Sequence, residues 1–236
     1  MSSSQSLLKA IGPGLSRSFC LTAFDRRGHG RTADTDAPFH YEDMADETIA
    51  YLEHLGRRSH LIGHSDGGII ALIVAMRRPD LVKRVVAIGA NYHFAGLTPS
   101  EPFGTDSEGF EAWAQKYASL SPDGIAHAPV VLKKTMTMFA TEPTLTTFDL
   151  LTITRPVLVM SGDDDVVTLE HTCSLYLAIP GAQLAVVPGT SHALLKERTR
   201  ESVRILRHFL RSELPVTTYM PVRRAQNHQS AEDDIS

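Results

Sequence analysis

Apolar residues along this chain recur in two rhythms that alternate. Residues 18–24 (SFCLTAF) read as a short apolar strand ending at Asp25, and the polar, Gly-rich RRGHGRTADTDAP after it reads as loop. Ala45, Ile49, Leu52 and Leu55 recur at helical spacing after Tyr41, and Gly56 stands where a C-terminal stop belongs. Residues 59–62 (SHLI) predict a second strand. The run IIALIVAMRR predicts a helix that is apolar almost all round, hence buried. Val85 to Ile88 predicts a further strand. Strand, helix and strand joined by short links predict an α/β fold with a mostly parallel central sheet flanked by helices.

Residues 92–154 break the alternation. They hold helical stretches and loops around Pro99, Pro102, Pro122 and Pro129, and read as an inserted helical lid. The alternation resumes with a strand at 156–160 (PVLVM), a helix from about Leu169 capped by Thr168, and a strand near Gln183–Val187. A last helix from about Glu197 places Val203, Leu206 and Leu210 on one face. The expected organisation is a core in two parts, 1–91 and 155–214, the insert at 92–154, and a polar, disordered tail at 215–236.

Composition narrows the function classes. The 236 residues are 42% hydrophobic and 21% charged, with a net charge of -4. No basic surplus exists for nucleic acid, and no polybasic run marks a membrane surface. The longest apolar run, Ile69–Met76, is far short of the roughly 20 residues that span a bilayer. The N-terminus lacks a charged segment followed by an apolar one, and the two cysteines, Cys20 and Cys173, suggest neither a disulfide framework nor a zinc site. A cytoplasmic protein acting on a small molecule, with no metal and no cofactor, is the expectation.

The chemistry concentrates at three points. Gly63-His64-Ser65-Asp66-Gly67 matches G-x-S-x-G between an expected strand and an expected helix. A sharp turn there lifts a serine hydroxyl above the sheet, and the following helix start offers free N–H groups to a developing oxyanion. Asp163, Asp164 and Asp165 lie at the C-terminal end of the strand VLVM. His192 follows the next strand by a few residues. A serine needs a base to take its proton, and the base needs an acid to orient it. The expected roles are Ser65 as nucleophile, His192 as base and one of the three aspartates as orienter. The Asp66 N–H is the expected oxyanion donor, and its side chain reads as a helix cap. His29 reads as structural and His64 as facing away from a base role. Arg26, Arg27 and Arg31 read as loop electrostatics, and Lys133 and Lys134 as an exposed basic face.

The segments FDRRGHGRT (24–32), GHSDGG (63–68), PDLVKRVVAIGAN (79–91), VLVMSGDDD (157–165) and VPGTSH (187–192) resemble the α/β-hydrolase family. The branch is similar to biphenyl-hydrolase-like esterases and proline-iminopeptidase-like hydrolases. The resemblance implies that Asp165 is the acid, with Asp163 as runner-up, and that the lid shapes the pocket through residues such as Phe94, Trp113 and Met138. It also implies that this chain begins just beyond the loop carrying the second oxyanion donor, without the first three strands. An exposed sheet edge at 59–62 would then favour self-association. Strand 18–24 would be orphaned, or would slide beside 59–62. Two functions follow as expectations: a serine hydrolase of a small ester, lactone, thioester or amide, or a catalytically impaired remnant that binds a small ligand.

Overall fold

The computed structural model describes residues 4–99 and 103–212. The expected tail at 215–236 lies outside the described residues. Helix α1 (Ser4–Leu15) is followed by an irregular segment to residue 40, then α2 (Tyr41–Leu55), β1 (Ser59–His64), α3 (Asp66–Arg77) and β2 (Val82–Ile88). Three helices come next: α4 (Phe110–Ala118), α5 (Ala128–Thr141) and α6 (Thr147–Leu151). The chain closes with β3 (Val157–Asp164), α7 (Leu169–Ala178), β4 (Gln183–Ser191), α8 (Leu194–Glu197) and α9 (Thr199–Arg211). Among the described residues the sheet has four parallel strands in the order β1-β2-β3-β4.

The strand period of two builds the layers. Val85 and Ala87 of β2 and Val157 and Val159 of β3 face the core shared with α2, α3 and α7. Their neighbours Val86, Ile88, Leu158 and Met160 face the opposite core, formed with α1, α8 and α9. Both faces are covered, which is why the strands lack a polar alternation. α3 is buried from Gly68 to Ala75 because it lies between the sheet and α2. Gly56 ends α2 in a left-handed conformation (φ 61°), its N–H donating to the Glu53 carbonyl. The Thr168 side chain caps α7 by accepting from the His171 N–H.

Residues 18–24 form no strand, neither as an orphan nor beside β1. A strand exists only where a neighbour completes its hydrogen bonds, and none runs along this segment. Aromatic contacts hold it instead: Phe19 meets the His60 ring edge-on at 5.9 Å, and Phe24 packs on Tyr51 at 4.6 Å. β1 is consequently an edge strand of the described sheet. Between β2 and β3 the described residues are helical or irregular, with isolated bridges at His93–Thr144 and Leu97–Val167.

One buried ion cluster ties the loop before α2 to the helices that follow β2. The Asp34 carboxylate, with 1% of its side chain exposed, accepts from Lys134 Nζ at 2.7 Å and from His127 Nε2 at 3.0 Å. Lys134 is thus a paired residue and not part of an exposed basic face. Burial acts to raise the Asp34 pKa, but the bonds from Lys134 and His127 outweigh it and hold the pKa below the ordinary value. Its contribution to stability is therefore full above the ordinary carboxylate pKa and is lost as pH falls towards the lowered one. Asp34→Asn is expected to cost about 3 kcal/mol at pH 7, because it removes the counter-charge of Lys134 and leaves it the Thr35 carbonyl as an acceptor. Urea melts at pH 7 and pH 3 check this. A variant as stable as the wild type at pH 7 would show that the cluster contributes nothing.

Candidate active site

β1 ends at His64, and the chain turns at once into α3. Ser65 at that turn has φ 55° and ψ -123°, a left-handed conformation that side chains avoid. Such a conformation costs on the order of 1–3 kcal/mol and persists only where the surroundings enforce it. Here the Ser65 N–H donates to the Ile88 carbonyl at 2.8 Å, and the Ser65 carbonyl accepts from Gly68 N–H at 2.8 Å. The turn closes because Gly63 has no side chain: a Cβ there would lie 2.0 Å from the Gly67 oxygen. Asp66 and Gly67 open α3, so their N–H groups have no acceptor within the helix.

Asp165 follows β3, and His192 follows β4. His192 Nδ1 lies 2.7 Å from Asp165 Oδ1, in a carboxylate with 1% side-chain exposure. A carboxylate only accepts, so Nδ1 carries the proton and Nε2 is left as the free ring nitrogen. Burial acts to raise the Asp165 pKa, but the bond from His192, with the Val167 and Gly162 backbone N–H groups, brings it below the ordinary value. The neighbouring aspartates do other things. Asp163 accepts from the Thr190 N–H at 3.0 Å, which ties the end of β3 to the end of β4, and Asp164 is exposed.

Two residues bind this pair to the serine turn. His64 Nε2 donates to the His192 carbonyl at 2.8 Å, and the two imidazoles pack at 4.7 Å. Burial, then the charge of His192, lowers the His64 pKa. Gly89, after β2, has φ 54°, and a Cβ there would stand 2.9 Å from His192 Nδ1 and 3.2 Å from Asp165 Oδ2. Ser65, Asp165 and His192 therefore gather at the C-terminal ends of parallel strands, where such sheets form their sites. Among the described residues, Ser65 Oγ has no hydrogen bond to His192.

The comparisons with known proteins agree with this arrangement of strands. The model of an alpha/beta hydrolase family matches residues 4–205. The chain belongs to the α/β-hydrolase family. A protein described as a putative carbamate hydrolase, RutD, of Stutzerimonas stutzeri is 30% identical over 209 residues, covering 77% of this chain and 77% of its own length. A non-heme haloperoxidase of Rhodococcus erythropolis is 30% identical, over 75% of this chain and 77% of its own. Among solved structures, an enol-lactonase from Burkholderia xenovorans superposes with a TM-score of 0.68 at 22% identity, over 88% of this chain and 86% of its own. That likeness shows the fold alone.

The other residues singled out in the sequence make the following contacts. Phe94 is 37% exposed and stacks on His93. Trp113, on α4, stacks on Tyr117 at 5.8 Å. Met138, on α5, is buried in the core beneath the sheet. The Asp66 side chain does not cap α3. It sits at the first helical position, and its Oδ1 accepts from the buried Tyr41 hydroxyl at 2.8 Å, which would otherwise lack an acceptor. His29 Nδ1 lies 2.9 Å from the Arg27 carbonyl, and its ring packs on Phe39. Tyr41 and Gly89 had no signal of their own in the sequence, since each matters only through what lies across from it. No group of three or more His, Cys, Asp or Glu side chains able to hold a metal occurs among the described residues. No helix among them is long and apolar enough to cross a membrane.

Proposed function

We propose that this protein is a serine hydrolase that cleaves a small ester, lactone, thioester or amide through an acyl-enzyme. The observation that carries the reading is Ser65 held at φ 55° on the first turn of α3, with the Asp165–His192 pair bound to the same turn through His64. In this reading His192 Nε2 takes the proton from Ser65 Oγ as the oxygen attacks the acyl carbon. Asp165 Oδ1 keeps the other nitrogen protonated and stabilises the imidazolium. The Asp66 N–H receives the oxyanion. His192 then gives its proton to the leaving group, and water repeats the sequence to free the acid. Residues 92–154 act as the lid, with Phe94, Trp113 and Met138 shaping its apolar side, and the protein is cytoplasmic. The hydrolase description of the RutD relative supports an acyl carbon as the target.

Labelling with a fluorophosphonate, read by intact mass, tests this. One adduct on the wild type and none on Ser65→Ala is the expected result. A second reading is a catalytically impaired protein that binds a small ligand. It is favoured by the missing hydrogen bond between Ser65 Oγ and His192, although such bonds often form only with substrate bound. Folded wild type without an adduct would select it.

Gly89→Ala gives a finer check. Its Cβ would press on two side-chain ends that can move, so the strain falls on the geometry of His192 more than on the fold. The left-handed backbone adds about 1–2 kcal/mol of destabilisation. Ester kcat is expected to fall about tenfold or more, since small misplacements of reacting groups are costly. An unchanged kcat would mean that His192 is not positioned from this side.

A further inference from the structure

Arg26 is a partly buried cation that no described residue neutralises at contact distance. Its neighbours in the same loop are paired. Arg27 donates to the Thr35 hydroxyl and to the Ala37 and Pro38 carbonyls, and Arg31 donates to Asp25. Arg26 Nε is buried without a hydrogen-bond partner, and among the described residues its guanidinium makes neither a hydrogen bond nor an ion pair. Asp66, Glu47 and the Tyr41 hydroxyl act on it only through space. Each has another partner. Asp66 Oδ1 accepts from Tyr41, and Glu47 accepts from the Arg27 N–H and stands 3.9 Å from Arg27 Nε.

The guanidinium is aimed at the serine turn. Arg26 Nη2 lies 3.7 Å from where a Gly67 side chain would begin, the nearest atom to that point outside Gly67's own stretch of helix. Gly67 is the second residue of α3, a helix of 12 residues. The cation thus stands beside the first turn of α3, at ordinary contact distance from the place where a Gly67 side chain would begin. Burying a charge without a partner opposes folding, and burying it beside a second positive end opposes it further. An anion that arrives with the substrate removes both costs. A guanidinium offers two parallel N–H groups to a carboxylate, which a point charge does not.

We propose that Arg26 and the first turn of α3 form a carboxylate-binding site, and that the substrates carry an ionised carboxylate besides the acyl group that reacts. The proposal rests on Ser65 being the nucleophile, since that sets which bond lies beside the site. The carboxylate takes no part in bond making. It orients the acyl carbon over Ser65, and neutral esters of equal size lack that anchor.

The test compares mono-p-nitrophenyl succinate with p-nitrophenyl butyrate, as a ratio of kcat/KM values, in the wild type and in Arg26→Met. The ratio is expected to fall about 10- to 100-fold in the variant, the effect of losing a charge-assisted pair. Arg26→Lys keeps the charge without the fork, and its ratio is expected to lie between the two. It carries the comparison if Arg26→Met does not fold. Binding is read separately by calorimetry, with monomethyl succinate and dimethyl succinate on Ser65→Ala. The acid is expected to bind, and both the diester and the added Arg26→Met substitution to abolish the heat. An unchanged ratio, or equal binding of acid and diester, would overturn the proposal. If the wild type cleaves neither ester, the nucleophile reading fails, and the calorimetry still decides whether Arg26 holds a carboxylate.

Discussion

Ser65→Ala is expected to lower kcat/KM for a p-nitrophenyl ester by about 10⁴-fold or more, with little change in KM. The serine oxygen forms the bond to the acyl carbon, so its removal leaves only the oxyanion donor and substrate binding to act on water. The fold is expected to be unaffected. Ser65 sits at φ 55° to serve the turn, and no hydrogen bond to His192 is lost with its hydroxyl. Alanine has the same backbone restriction, so the melting temperature is expected to stay within a degree or two of the wild type. Intact folding with lost turnover separates chemistry from structure. Residual turnover within tenfold of the wild type would assign the reaction to a different nucleophile. The companion His192→Ala is expected to cost a similar factor, and the two losses are not expected to add, because the residues act as one unit.

Gly63→Ala is expected to have the largest effect on stability. Its Cβ would stand 2.0 Å from the oxygen of Gly67, 2.1 Å from its carbonyl carbon and 2.4 Å from the nitrogen of Gly68. All three are backbone atoms of the first turn of α3, so no side chain can swing aside. Either α3 shifts away from β1 or the turn opens, and α3 is the most enclosed helix of the core. Loss of at least about 3 kcal/mol is the expected result by urea melting, at the upper end of what overpacking costs. Gly104→Ala serves as the control. A Cβ there meets nothing within 4 Å, and its change is expected to stay within about 0.5 kcal/mol. If Gly63→Ala melts with the wild type, the turn is not closed in the way the contacts require.

Much of the fold was legible because burial imposes a period. Residues that face a core on both sides of a sheet must be apolar in succession, and β2 and β3 are. Helix ends were legible where a side chain or a glycine does local work, as at Gly56 and Thr168. Strand 18–24 was misread for the opposite reason. SFCLTAF has the composition of a strand, but a strand is a relation between two segments, and composition describes only one.

The candidate site divides along the same line. The sequence by itself determined the family, the parallel α/β order, and the placing of Ser65, Asp165 and His192 each at the end of a strand, because motif and period are local. Only the tertiary structure decided which aspartate meets His192, since three adjacent carboxylates differ in direction and not in chemistry: Asp165 turns inward, Asp163 ties β3 to β4 and Asp164 faces water. It alone decided that Lys134 is buried against Asp34 and that Asp66 serves Tyr41 and not the helix end. It alone left Arg26 without a partner. Each of these depends on what another part of the chain brings within about 3–4 Å, the range at which hydrogen bonds and contact ion pairs form.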